Sequence, residues 1–184
     1  MAKFRSMEEL KAGLPVIMSS PADNGTLEAI VVRPDKGMRL DVKSRKISLA
    51  GGVEGDHWAK GCWKSLPDGS PDPDVQICIM NARCISLIAG SREAWPMAGD
   101  NLFIDLDLSP ENLAPGQRLA IGSAIIEIND VPHAGCQKFI DRYGRDACVF
   151  VNTGEGRRLN LRGIYARVVQ DGTVSVGDAV TKIG

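Results

Sequence analysis

Short apolar stretches alternate with polar residues along most of the chain, and this period of two is typical of half-buried strands. In 26–33, Leu27, Ala29 and Val31 alternate with their neighbours until Pro34 ends the stretch. Proline favours a strand end because it cannot donate a ladder hydrogen bond. Further strands are predicted at 38–49, with a break near Ser44, and at 75–80, 102–106 and 179–183.

Two pairs of apolar stretches have the spacing of hairpins. Residues 118–121 and 124–128 are separated by Gly122 and Ser123, a two-residue connection that glycine permits. Residues 164–169 and 173–176 are joined through 170–172, where Asp-Gly is a turn signal. The sequence therefore predicts two antiparallel pairs in the last third of the chain.

Four segments have apolar residues at helical spacing. A short helix at 7–12 is ended by Leu14-Pro15, and one at 82–89 has Asn81 as its N-cap. Helices are also predicted at 136–143 and at 145–151, where the alternative to a helix is a strand. The strands outnumber the helices, are short and are joined by Gly- and Pro-containing turns, which indicates a mainly β barrel or rolled sheet with a few helices packed on it. We assign 1–24 to an N-terminal extension and 25–184 to one domain.

Composition excludes several classes of partner. The chain of 184 residues has 22 basic and 23 acidic residues, a net charge of -1, so no nucleic acid or anionic membrane partner is expected. It contains no apolar run near the roughly 20 residues of a membrane helix and no signal-peptide pattern at its start. A cytoplasmic location is expected. Five cysteines without C-x-x-C spacing predict reduced thiols, and the two histidines lack the ligand spacing of a structural zinc site.

Cys136 is the main candidate for chemistry. It follows the strand at 124–128 and stands where the helix at 136–143 begins. A helix N-terminus and nearby cations lower the pKa of a thiol, and His133 and Lys138 could supply that charge. The alternative is a buried structural cysteine, since free cysteines are among the most buried residues.

A glycine-rich segment is the second candidate. Residues 51–58 contain three glycines in five positions, followed by Asp56, His57 and Trp58. This composition does not suit a helix or strand. The segment is either a tight turn or a loop in which the backbone approaches a ligand.

Several motifs, in this order and spacing, resemble the MOSC domain, the C-terminal domain of molybdenum cofactor sulfurase. They are Val53-Glu54-Gly55-Asp56, the strand and helix at 75–89, Gly99-Asp100-Asn101-Leu102, the segment 115–122, Cys136, the segment 163–168 and Val176-Gly177-Asp178. The resemblance implies a mainly β, barrel-like fold of the pyruvate-kinase β-barrel-like type. The loop reads Gly55-Asp56-His57-Trp58 where family loops often read Gly-Asp-Arg-His. His133, Ala134 and Gly135 precede the cysteine, where Arg and Pro are common.

The resemblance also implies a function. The matching cysteine of related proteins ligates molybdenum of the pterin cofactor, molybdopterin, so Cys136 is the expected metal ligand, assisted by His133 and Lys138. Phosphate on such a cofactor needs backbone N–H groups and basic side chains. The expected cofactor-binding residues are Gly55, Asp56, His57, Arg83, Asn101 and Arg162. Pyridoxal phosphate is not expected, because the desulfurase domain that carries it in the full sulfurase is missing.

Three functions stay open on this basis. The first is a molybdenum-dependent oxidoreductase that reduces N-hydroxylated small molecules, with electrons from a separate donor protein; small bacterial members are linked to resistance against N-hydroxylated purines. The second is a sulfur carrier that holds a persulfide on Cys136, receives sulfur from a donor protein and passes it on for metal-sulfur cofactor assembly. The third is a non-catalytic pterin or nucleotide binder in which the cysteine is inert.

Overall fold

The computed structural model describes residues 4–184, and most of this part of the chain is arranged around a β-barrel. The strands are β1 (Gly25–Val32), β2 (Leu40–Val42), β3 (Ser44–Ser48), β4 (Gly52–Val53), β5 (Ile77–Asn81), β6 (Leu102–Asp105), β7 (Arg118–Ile121), β8 (Ala124–Ile128), β9 (Ile164–Gln170), β10 (Gly172–Ser175) and β11 (Ala179–Ile183). The α-helices are α1 (Met7–Met18), α2 (Trp58–Gly61), α3 (Ala82–Ala89), α4 (Gln137–Tyr143), α5 (Arg145–Asn152) and α6 (Gly154–Arg158). Short 3₁₀ helices lie at Pro73–Val75 and Arg92–Ala98.

Seven strands close the barrel in the order β11-β7-β8-β9-β5-β6-β1, with β1 pairing back to β11. Neighbours in the ring are antiparallel except β5 and β6, which are parallel. Closure leaves no exposed sheet edge in the ring. β2 pairs antiparallel with the last three residues of β1, 30–32. The predicted mainly β, barrel-like fold is confirmed.

Both faces of β1 are buried. Leu27, Ile30 and Val32 belong to the barrel interior, whereas Ala29 and Val31 belong to a second core under the helices. A register shift between Leu27 and Ala29 in the pairing with β6 accompanies this change of face. Side chains fill the barrel interior, so the barrel is a packed core that leaves ligands to the connecting segments.

The N-terminal helix is longer than predicted. It continues through Pro15 to Met18 and starts with a capping box in which Ser6 and Glu9 exchange hydrogen bonds. Leu10 and Ile17 are buried in the helical core. Burial of this face outweighs the hydrogen bond that Pro15 cannot donate. The prediction that Leu14-Pro15 ends the helix was therefore wrong.

The second predicted hairpin does not form. Its two stretches are strands, but β9 pairs with β5 and β8, while β10 pairs with β3 in a separate three-stranded sheet, β10-β3-β4. The chain crosses the β7–β8 turn here, where Ser123 and Thr173 exchange hydrogen bonds. The Asp-Gly signal specified a change of direction without specifying the partner strand.

Most other local predictions agree with the structure. The β7–β8 hairpin, α3 with Asn81 as its N-cap, α4 and α5 all form. The glycine-rich segment contains the two-residue strand β4, which the sequence did not predict because Gly52 has a φ of 64° and supplies no side chain. α2, α6 and both 3₁₀ helices were also missed. No helix within residues 4–184 has the length and apolar character needed to cross a membrane.

Candidate functional site

A cavity of about 340 Å³ lies where several connecting segments meet on the outside of the barrel. Its lining comes from the segment after β1, from α2 and the loop that follows it, from the residues before β6, and from α4. Residues 129–136, which connect β8 to α4 and are called the strap below, also contribute. The residues used below are Arg33, Arg39, His57, Cys62, Trp63, Cys78, Gly99, His133, Cys136, Lys138, Arg142, Arg162 and Tyr165. Sequence segments far apart in the chain therefore build one concave site.

Cys136 lies at the N-cap position of α4, as predicted. Its backbone is extended (φ -117°, ψ -175°), and its side chain makes no capping hydrogen bond. Among the five cysteines it alone is exposed; Cys62 is half-buried and the other three are buried. The interpretation of Cys136 as a buried structural cysteine is therefore wrong, and its thiol is available to a ligand in the cavity.

His133 does not supply the positive charge that we expected. Its side chain is only 8% exposed, and its ring stacks on Tyr165 with 4.4 Å between centroids. Burial, followed by repulsion from Arg162 and Arg33, lowers the pKa of His133 well below its ordinary value. The imidazole is therefore neutral at pH 7, and its Nδ1 atom, 3.8 Å from Asp100, has no hydrogen-bond partner.

Asp56 lies behind the cavity and holds Arg33 in place. Its carboxylate accepts hydrogen bonds at 2.9 Å from Nε, Nη2 and the backbone N–H of Arg33, and at 3.0 Å from the Trp58 N–H and Asn101 Nδ2. Burial alone would raise the pKa of Asp56, but the hydrogen bonds and charge of Arg33 outweigh it, and the pKa is lowered. Gly55 supplies the preceding turn with a φ of 84°. The glycine-rich segment thus acts as a tight turn that presents Asp56 to Arg33.

The segment before β6 anchors both buried arginines. Arg33 donates to the Gly99 carbonyl at 2.9 Å, and Arg162 donates to the Asp100 carboxylate at 2.9 and 3.0 Å and to the Ala98 carbonyl. The Nε atom of Arg162 is buried without a partner. Arg162 therefore lines the cavity, with its charge balanced by Asp100.

Two other predicted residues lie away from the cavity surface. Asn101 is fully buried and joins β5 to β1, because it accepts from the Cys78 N–H and donates to the Val31 carbonyl. Arg83 forms a two-bond ion pair with Asp105 in a groove beside α1. Arg83 therefore lies outside this cavity, and its charge holds α3 against the barrel.

Three further cations line the cavity without an acidic partner among residues 4–184: Arg39, Lys138 and Arg142. Arg142 donates to the Met97 carbonyl, and Arg39 to the Met38 carbonyl, with its Nε atom left unpaired. Burial, then repulsion from Arg142 and Arg33, lowers the pKa of Arg39. Sequence reasoning missed Arg39 and Arg142; the four-residue spacing of Lys138 and Arg142 was a signal that they share a helix face.

Aromatic and sulfur groups complete the lining. The exposed Trp63 ring lies 6.3 Å from Tyr165, which in turn stacks on His133. Cys62 packs beside Cys78 and Tyr165. The cavity therefore combines an accessible thiol, unpaired cations and flat rings, a combination suited to an anionic ligand that also carries an aromatic group and a soft metal.

Comparisons with known proteins agree with this architecture. Among solved structures, the YuaD protein from Bacillus subtilis has a TM-score of 0.59 at 18% identity and covers 86% of this chain and 95% of its own. YiiM from Escherichia coli has a TM-score of 0.56 at 21% identity, and the match covers 86% of this chain and 70% of YiiM. YiiM from Geobacillus stearothermophilus has a TM-score of 0.54 at 15% identity, and the match covers 89% of this chain and 74% of that protein. These likenesses establish the fold. No curated protein matches the sequence. The family model of the MOSC domain matches residues 67–181, more than half of the chain, and the protein therefore belongs to the MOSC domain family.

Proposed function

We propose that the protein binds the molybdenum cofactor in the cavity around Cys136 and reduces N-hydroxylated small molecules there. MOSC domains are associated with molybdenum cofactor binding. One observation carries the proposal for this chain: the single exposed thiol shares its cavity with three cations that have no acidic partner in the described residues. Thiolate sulfur is a soft ligand suited to molybdenum, and unpaired cations suit a phosphate.

The buried polar atoms fit such a ligand. The Nε atoms of Arg39 and Arg162 are shielded from solvent without a hydrogen-bond partner, although both residues line the cavity. An orphaned buried donor costs about 1–3 kcal/mol, which a ligand acceptor would recover. Cys136 would hold the metal, and Arg39, Lys138 and Arg142 would hold the phosphate.

The proposed reaction sets the remaining roles. Reduction of R–NHOH to R–NH₂ and water consumes two electrons and two protons, and the cofactor, when bound, would supply this two-electron redox chemistry. The electrons would come from a separate donor protein. Burial raises the pKa of Tyr165, so its hydroxyl stays protonated and can donate a hydrogen bond to substrate oxygen. The neutral His133 keeps the Tyr165 ring in place by stacking.

The exposure of Cys136 also favours a second candidate, a sulfur carrier. A persulfide on an exposed cysteine at the start of α4 can be reached by an acceptor protein without movement of the barrel. In that case the unpaired cations would stabilise the anionic persulfide.

Elemental analysis of protein purified from its own host tests both candidates. Stoichiometric molybdenum that is lost in Cys136→Ser and kept in Cys62→Ser supports the oxidoreductase; Cys62 is the matched control, since it lines the same cavity half-buried. Sulfane sulfur without molybdenum supports the carrier. Molybdenum retained at full occupancy in Cys136→Ser would refute the proposed ligand.

The cationic half of the site has its own test. Arg142→Gln should lower cofactor occupancy, whereas Arg145→Gln, which changes an exposed arginine outside the cavity, should not. Equal occupancy in the two variants would contradict the assignment of the phosphate to this cluster.

A further inference from the structure

A second thiol lies beneath the strap that carries Cys136. Cys148, on α5, is 6% exposed, and a Cβ atom placed on Gly135 would be 3.1 Å from its Sγ atom. The pKa of Cys148 is raised by burial and then by the neighbouring Cys136 thiol. Because Gly135 has no side chain, the Cys148 sulfur packs directly against the backbone that leads to Cys136.

Asn152 fixes this arrangement. Its Oδ1 accepts from the Gly135 N–H at 2.8 Å, and its Nδ2 donates to the Gly135 carbonyl at 3.0 Å and to the Cys148 sulfur at 3.3 Å. One side chain therefore ties the strap to α5 and orients the Cys148 thiol.

We infer that Cys148 is the resolving thiol of Cys136, so that oxidation of the exposed cysteine ends in an intramolecular Cys136–Cys148 disulfide. The oxidant is a peroxide. The Cys136 thiolate attacks the O–O bond of H₂O₂, which gives a sulfenic acid and hydroxide. The Cys148 sulfur then attacks the Cys136 sulfur, which forms the S–S bond and releases the hydroxyl as water. Two thiols are oxidised by two electrons, and the peroxide is reduced.

The disulfide has a consequence that rests on the proposed function. A disulfide sulfur is not a thiolate ligand, so the oxidised protein would not hold molybdenum through Cys136 until it is reduced. The bond would also protect Cys136 from the irreversible sulfinic and sulfonic states.

The structure distinguishes Cys148 from the other candidate partners. Cys62 and Cys78 line the cavity together with Cys136, but they pack with Val75 and Tyr165 in a separate cluster. Cys78 is also held by the Arg33 guanidinium at 3.4 Å. Cys148 instead packs against Gly135, the residue directly before Cys136, and Cys136 is among the neighbours that raise the pKa of Cys148.

The test uses the metal-free full chain, so it does not depend on the molybdenum proposal. The reduced protein is treated with limiting H₂O₂, alkylated and digested with trypsin. The expected product joins peptide 119–138 to peptide 146–157. Cys148→Ala should abolish this product and leave Cys136 as a sulfenic acid that dimedone traps, whereas Cys62→Ser should form the link as wild type does.

Several outcomes would overturn the inference. They are a Cys136–Cys62 link, a link between two chains, or a dimedone adduct on Cys136 as the main wild-type product. Cys148→Ser, which keeps the side-chain volume, repeats the test if the alanine variant does not fold. A disulfide that forms in a protein that never binds molybdenum would refute the proposed function alone, and a molybdenum-binding protein that never forms it would refute this inference alone.

Discussion

Replacement of Asp56 by Asn tests the interpretation of the glycine-rich segment as a structural element. Asp56→Asn keeps the size of the side chain and removes the charge that faces Arg33. The two side chains are 1% and 11% exposed, so solvent does not screen the change. An unpaired buried charge after loss of its partner costs about 3–5 kcal/mol. For a domain of this size that corresponds to a fall in Tm of about 6–20 °C.

Scanning calorimetry of the metal-free protein measures this shift. Glu127→Gln is the matched control, because Glu127 pairs with Arg118 and Arg167, which are 54% and 46% exposed. Such surface pairs contribute about 0–1 kcal/mol each, so the loss of both should lower the Tm by less than about 8 °C. Similar shifts in the two variants would refute the role of Asp56 as the buried counterion of Arg33.

The same pair predicts a pH dependence. The pKa of Asp56 is lower in the folded protein than its ordinary value. The carboxylate therefore contributes its stability above its unfolded pKa of about 3.9, and this contribution is lost as the pH falls through the lower folded pKa. The Tm difference between wild type and Asp56→Asn should be constant from pH 5 to 8 and should shrink below about pH 4. A difference that grows on acidification would contradict this sign.

Three further substitutions have defined outcomes. Cys136→Ser should leave the Tm within about 2 °C, because an exposed side chain without a capping bond contributes at most about 0.5 kcal/mol; a larger loss in calorimetry would return Cys136 to a structural role. Leu10→Ala should cost about 2–5 kcal/mol in urea unfolding, since Leu10 is fully buried in α1, and a neutral result would show that the extension 1–24 is not part of the folded unit. Gly163→Ala should reduce the yield of folded protein strongly, because its φ is 112° and a Cβ atom would lie 2.2 Å from the Ile79 carbonyl oxygen; normal expression and Tm would contradict this.

The sequence by itself determined the elements whose signals are local. The β7–β8 hairpin follows from a two-residue glycine turn between apolar stretches, and α3 follows from the Asn81 cap, which accepts the Cys84 N–H. Cys136 was placed correctly because its position depends only on where a helical pattern begins after a strand. The domain boundary at residue 25 stays a prediction, since the family model covers 67–181.

Tertiary structure decided which strands pair and which charges remain free. An Asp-Gly turn specifies only a change of chain direction. The chain after this turn passes over the β7–β8 turn at Ser123, and β10 pairs with β3 instead of β9. The protonation state of His133 depends on its burial and on repulsion from Arg162 and Arg33. Both arginines lie far from His133 in the sequence. The sequence does not separate the arginines that form ion pairs from those that do not. Arg33, Arg83 and Arg162 each pair with a carboxylate from a distant segment. Arg39 and Arg142 have no such partner among residues 4–184. Ion pairing is a contact between distant segments, so the sequence named the thiol of the candidate site, and only the folded chain showed which cations surround it.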